Sequence, residues 1–185
     1  MLLYKKKVDK MQEFSIDNLK LAYQTLKECN IDLKEMQSDN KMQEYVQDSC
    51  VKRFEYTLET AWKLMGKYLK FQYGKSESEL TINNIFRFME GYGLISSFEK
   101  WSNYYAQRNA VAHEYNFSKV RKLLLIVDEF IEDVEFLINK FEIELEDIKH
   151  DFDNSKLPYI VNFVDFHSLD DKFYKLIEPT LVKFK

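Results

Sequence analysis

The chain predicts an all-α protein, an antiparallel up-and-down bundle of about five helices followed by a small strand–helix appendage. Three observations predict it. Apolar residues recur at three- and four-residue steps through most of positions 1–148, which places one apolar stripe on each helix. Only four glycines and two prolines punctuate the 185 residues, so long helices can run between the breaks. Hydrophobic residues make up 45% and aromatic residues 16%, enough for the core of one domain.

Each element has its own signal. Met11, Phe14, Leu19, Ala22, Tyr23, Leu26 and Ile31 mark a first helix over residues 10–36. Asn40 can cap a second helix, whose apolar series runs Tyr45, Val46, Cys50, Val51, Phe54, Leu58, Ala61, Trp62, Met65 and Leu69, with Gly74 just past its end. Thr81 starts a short third helix carrying Ile82, Ile85, Phe86 and Met89, and Gly91-Tyr92-Gly93 stops it. Ser96 with Glu99 three positions on is a capping-box signature for a fourth helix, which carries Phe98, Trp101, Tyr105 and Arg108. Asn116 can cap a fifth helix over residues 117–148, with Val120, Leu123, Leu124, Val127, Phe130, Ile131, Val134, Leu137, Phe141, Leu145 and Ile148 as its apolar positions.

After a polar turn from Asp151 to Lys156 the pattern changes. Leu157 to Phe166 is β-branched and aromatic and predicts a strand, followed by a short helix at 169–176 and a terminal stretch from Thr180 to Phe184. A lone strand leaves its backbone groups unpaired, so the terminal stretch or another chain must pair with it. The expected domains are therefore a bundle over 1–148 and a non-catalytic β/α tail over 149–185.

Composition narrows the function classes. The net charge of −4 is unlike that of a general nucleic-acid binder, though it leaves room for a local basic patch. Cys29 and Cys50 are the only cysteines, so there is no disulfide framework and the expected setting is reducing cytoplasm. No apolar run approaches the ~20 residues that span a bilayer. At the N-terminus lysines follow the apolar residues, the reverse of a signal peptide. There is no Cys/His set with zinc spacing, and Gly66-Lys67 and Gly74-Lys75 lack the rest of a phosphate-binding loop, so no metal or cofactor is expected.

The densest set of reactive groups is Arg108-Asn109-Ala110-Val111-Ala112-His113-Glu114-Tyr115. Five residues turn a helix by roughly 140° beyond a full turn. Arg108 and His113 thus meet over one substrate only if the helix bends or ends near them, or if a second copy of the chain completes the site. Trp62 and Trp101 read as core. Arg53 and Glu55 read as solvent-facing or paired across helices, and Cys29 and Cys50 as small core or near-surface residues. His150 and His167 are isolated and receive no role.

The segment from Asp48 to Met65, with its Arg53-Phe54-Glu55-x-x-x-Glu59-x-Ala61-Trp62-Lys63 block, resembles the second helix of the nucleotidyltransferase substrate-binding proteins, the HepT-like toxin branch of the HEPN superfamily. Trp101, Arg108-Asn109 and His113-Glu114-Tyr115 resemble that family's Arg–polar–spacer–His-x-Tyr motif, and the likeness covers residues 10 to 148. It implies the toxin of a toxin–antitoxin pair, a homodimeric, metal-independent endoribonuclease. It also implies a minimal nucleotidyltransferase antitoxin as partner, which in some cases adenylylates the tyrosine of His-x-Tyr. Carried over, Arg108 would stabilise the phosphate, Asn109 would help position it, His113 would serve as general acid or base, and Tyr115 would be the modifiable position. The alternative is a non-catalytic substrate-binding partner of the nucleotidyltransferase, adenylylated at Tyr115.

The chemistry is coherent on its own terms. RNA carries its own nucleophile, the 2′-hydroxyl, so a protein needs only to move a proton and stabilise charge. Histidine suits the first task and arginine the second. Two-fold symmetry would bring two Arg/His sets to one cleft. Lys119, Arg121 and Lys122 follow closely and can steer a phosphate backbone.

Asn154 to Asp165 resembles the C-terminal piece of a minimal nucleotidyltransferase, where a Ser-x-Leu-Pro-Tyr entry leads to a strand bearing a metal-binding carboxylate. Here Asn162 stands at the carboxylate position, and no Gly-Ser followed by an Asp-x-Asp pair occurs. The chain is thus not expected to transfer nucleotides. The tail reads as a fused remnant that serves as a dimer or partner contact, or as nothing.

Overall fold

The amphipathic stripes become six α-helices in the computed structural model, which describes residues 15–36, 40–113 and 116–153. They are α1 (Asp17–Glu35), α2 (Asn40–Tyr73), α3 (Ile82–Gly91), α4 (Phe98–His113), α5 (Phe117–Leu124) and α6 (Val127–Asp153), with one 3-10 turn, Glu77–Glu79, before α3. The described residues contain no strand and are all-α. The expected strand at 157–166, the helix at 169–176 and the terminal stretch lie outside the described residues, as does the first helix before residue 15. The chain divides into two units, Ile16–Ile143 and Met1–Ser15 with Glu144–Lys185. The packing below is that of the first.

Side-chain contacts fix the helix directions. Cys29 Sγ on α1 lies 3.8 Å from the carbonyl oxygen of Val46, while the Thr57 hydroxyl donates to the carbonyl of Ala22, so α1 and α2 run antiparallel. Phe54 stacks near Phe130 and Tyr68 near Phe141, so α2 and α6 run the same way. Asn30 bonds to Asp128 and Lys20 pairs with Glu142, which sets α1 antiparallel to α6.

The core gathers where these helices face each other. Phe54, Phe86, Trp101, Tyr104 and Phe130 have no measurable exposure, and they come from α2, α3, α4 and α6. Phe130 is the hub, with ring centroids 4.5 Å from Phe54, 5.0 Å from Tyr104 and 5.8 Å from Trp101. Trp101 is core, as expected. Trp62 is only half-buried, with the Lys63 ammonium 5.8 Å from its ring centroid.

Helix ends follow the sequence signals at several points. Gly74 adopts φ 64°, and the Lys75 N–H reaches back to the carbonyl of Leu69, closing α2 as glycine at this position should. The Thr81 hydroxyl accepts from Asn84 N–H and caps α3. Three expectations need correction. Ser97, not Ser96, precedes α4: its hydroxyl accepts from the Lys100 N–H at 3.3 Å, while the Ser96 hydroxyl donates to buried Asp133 at 2.7 Å. The single helix expected over 117–148 is interrupted at Leu125 and Ile126, where Ile126 N–H bonds to Leu123 O, and Phe130 N–H to Ile126 O starts α6. Leu125, at 82% exposure, sits on the outside of this turn. Finally, α6 continues to Asp153, into the segment expected as a polar turn.

Candidate functional site

The Arg108 stretch lies on the last turns of α4, and α4 ends at His113. Val111 is buried and anchors this end, while Arg108, Asn109 and Ala110 are half-exposed. The Arg108 side chain is 31% exposed. Its Nη1 donates to Asn109 Oδ1 at 3.1 Å, which fixes the carboxamide against the guanidinium. Because α4 is continuous from Phe98 to His113, positions 108 and 113 stand roughly 140° apart around its axis. The side chain of His113, and Glu114 and Tyr115 entirely, lie outside the described residues.

One contributor had no assigned role. Glu59 on α2 places Oε2 3.9 Å from Arg108 Nη2, while its Oε1 pairs with Lys63 Nζ at 2.5 Å. The Lys63 hydrogen bond, with the nearby charges of Lys63 and Arg108, holds the Glu59 carboxyl below the usual range against a smaller opposing effect of burial. At 3.9 Å the Arg108–Glu59 contact is a charge pair rather than a hydrogen bond. It orients the guanidinium and leaves most of its donors for an incoming anion. The sequence carried half of this signal: Glu59 and Lys63 are an i,i+4 pair in the quoted block. That α4 delivers Arg108 to the same carboxylate is tertiary information.

Past the motif, Asn116 caps α5: its Oδ1 accepts the Lys119 N–H at 3.0 Å. Replacing Asn116 by alanine is expected to cost about 1 kcal/mol, read as a lower urea midpoint, with the far-ultraviolet helix signal below the transition nearly unchanged. A cost below ~0.3 kcal/mol would show that packing alone holds α5.

α5 buries Val120 and Leu123 and turns its basic residues outward. Arg121 and Lys122 are exposed and Lys119 is half-buried; the Arg121 guanidinium lies 5.0 Å over the Phe117 ring. Between α5 and the first turns of α2 is a cleft of about 190 Å³ lined by Gln43, Glu44, Gln47, Phe117 and Arg121. One wall of this cleft carries the Arg121 guanidinium and the other the Glu44 carboxylate.

Among the described residues no three His, Cys, Asp or Glu side chains are placed to hold a metal ion. No helix among them is long and apolar enough to cross a membrane.

Comparison with known proteins fits this architecture. The Haemophilus influenzae protein HI0074, whose structure is described as revealing the fold of a substrate binding domain of a nucleotidyltransferase, is similar in fold, with a TM-score of 0.62 at 21% identity over 69% of this chain and 99% of that one. The Thermus thermophilus protein ttk003001694 gives 0.55 at 21% identity, over 66% of this chain and 97% of its own. No curated protein matches. The family model described as nucleotidyltransferase substrate binding protein like matches residues 14–143, which includes the whole Arg108 stretch and its Glu59 partner, and the chain belongs to that family.

Proposed function

We propose that the chain is the substrate-binding partner of a minimal nucleotidyltransferase and that Tyr115 receives the nucleotide. The family match over residues 14–143 carries this reading. The chain has no Gly-Ser and Asp-x-Asp nucleotide loop of its own, so the partner must supply the nucleotide and its metal. This chain supplies the acceptor and an anion cradle. The Tyr115 phenol, having lost its proton, attacks the α-phosphorus of ATP, and pyrophosphate leaves. Arg108, held by Asn109 and Glu59, offers its remaining donors to the phosphate beside that position.

A second reading is favoured by one observation, the part-exposed side chain of Arg108 on a helix that ends at His113. In that reading two copies pair, and each Arg108 meets the partner copy's motif over RNA. His113 then moves the proton while Arg108 bears the phosphorane charge. The negative end of α4 favours a cation at position 113. Lys119, Arg121 and Lys122 draw in the RNA backbone.

The two readings separate experimentally. Co-expression with the minimal nucleotidyltransferases of the same genome, with ATP and magnesium, is expected to give a stable complex and one added AMP, absent in Tyr115→Phe. No complex with any of them sinks the first reading. Incubation of wild type and His113→Ala with RNA in EDTA tests the second: the nuclease requires cleavage by the wild type that falls by about 100-fold or more in the variant. Equal cleavage by both, or none, removes it.

A further inference from the structure

The proposed function uses neither cysteine, yet the fold brings both to one point. Cys29 on α1 and Cys50 on α2 are both buried and reduced; Cys29 retains 5% exposure and Cys50 none. Cys29 Sγ lies 3.8 Å from the carbonyl oxygen of Val46, one turn before Cys50, and 3.4 Å from Arg53 Nη1, three positions after it, so Cys29 faces the stretch of α2 that carries Cys50. Arg53, one turn beyond Cys50, aims its guanidinium at the same place: Nη1 lies 3.4 Å from Cys29 Sγ and also bonds to the Ser49 hydroxyl. Burial first, and the Cys29 thiol second, push the Cys50 thiol up to about 12. The chain thus holds two adjacent sulfurs on different helices, one beside a fixed cation and one enclosed.

We propose that Cys29 and Cys50 are an oxidative modification site, a dithiol that closes reversibly to a disulfide and locks α1 to α2. The oxidant is a hydroperoxide. Cys29 reacts first, because it keeps a small exposed edge where Cys50 has none. Its sulfur attacks a peroxide oxygen, the O–O bond breaks, and with hydrogen peroxide one water leaves, giving the sulfenic acid of Cys29. The sulfur of Cys50 then attacks that of Cys29. The S–O bond breaks, the S–S bond forms, and the hydroxyl departs with the Cys50 proton as a second water. Two thiols lose two hydrogens and two electrons, and one peroxide is reduced to two waters. The 20 residues between the cysteines become a closed loop. In a reducing compartment such a bond is transient and reports oxidation rather than serving as a permanent brace.

The test uses the full chain. After stepwise hydrogen peroxide, samples are unfolded, alkylated with iodoacetamide and weighed. The expected wild-type result is loss of two hydrogens, loss of both alkylation sites within one chain, and a melting temperature higher by about 5–10 °C, all reversed by dithiothreitol. Cys50→Ala is expected to stop at the sulfenic acid, trapped by dimedone on Cys29, with no such rise. Two alkylatable thiols in oxidised wild type overturn the proposal, whatever the variant does. So does a disulfide between chains, or a crosslink that leaves the melting temperature unmoved.

Discussion

Phe130→Ala is expected to lower the stability of the fold by about 3–5 kcal/mol, seen as a large drop in urea midpoint with the slope unchanged. Phe130 is fully buried, and its ring meets three others from α2 and α4. Truncation loses the transfer free energy of the ring, and the tilted and edge-to-face contacts each add roughly 0.5–1.5 kcal/mol beyond area. The remaining void cannot collapse easily. Its walls are Phe54 on α2 and Trp101 and Tyr104 on α4, all fully buried. Whole domains are stable by only about 5–15 kcal/mol, so the variant is expected to be partly unfolded at physiological temperature. Phe117→Ala is the internal control. Phe117 is 54% exposed on α5, and its loss is expected to cost less than about 0.5 kcal/mol. A Phe130→Ala cost below about 1 kcal/mol would mean that the aromatic hub does not organise this core.

The same hub shows what the sequence could and could not reveal. From Val120 through Leu123, Val127, Phe130, Val134, Leu137 and Phe141 the buried residues keep three- and four-residue steps across the α5–α6 break. The apolar stripe is continuous although the helix is not, so periodicity reads one helix where there are two. The break gives no local warning either. Leu125 caps α5 in ordinary right-handed geometry, φ −66° and ψ −22°, with no glycine or proline. Where turns do depend on residue type, at Gly74, Thr81 and Asn116, the boundaries were readable. Ser96 and Ser97 show the opposite limit: two adjacent hydroxyls are equivalent as caps in sequence, and only the position of Asp133 decides which is used elsewhere. The candidate site divides in the same way. Arg108 and Asn109 are neighbours in sequence and in space, but the carboxylate that orients Arg108 comes from a residue 49 positions earlier.

Asp133 carries the other large effect. Its carboxylate is buried on α6, accepts from the Ser96 hydroxyl at 2.7 Å and from the Tyr104 hydroxyl at 2.6 Å, and lies 3.6 Å from Lys100 Nζ. Removing it strands the buried Tyr104 hydroxyl, which costs about 1–3 kcal/mol without a partner, and forfeits the charge-assisted bond from the exposed Ser96 hydroxyl, worth about 1–2 kcal/mol. Asp133→Ala is therefore expected to lose about 2–5 kcal/mol, and Asp133→Asn less, because its remaining oxygen still accepts. Tyr104 supplies a second readout. Burial, and then the bond to Asp133, hold the Tyr104 phenol far above the usual tyrosine range. In the unfolded chain the same phenol ionises near pH ~10. Its contribution is thus fully present below that pH and is lost as pH rises, at up to about 1.4 kcal/mol per unit, because only the unfolded state gives up the proton. Tyr104→Phe abolishes that loss. Measured by urea midpoints from about pH 8 to about pH 11, the stability gap between wild type and Tyr104→Phe is expected to narrow as pH rises. Parallel curves over that window would mean that the phenol ionises as easily in the fold as out of it, which a hydroxyl enclosed against a carboxylate cannot do.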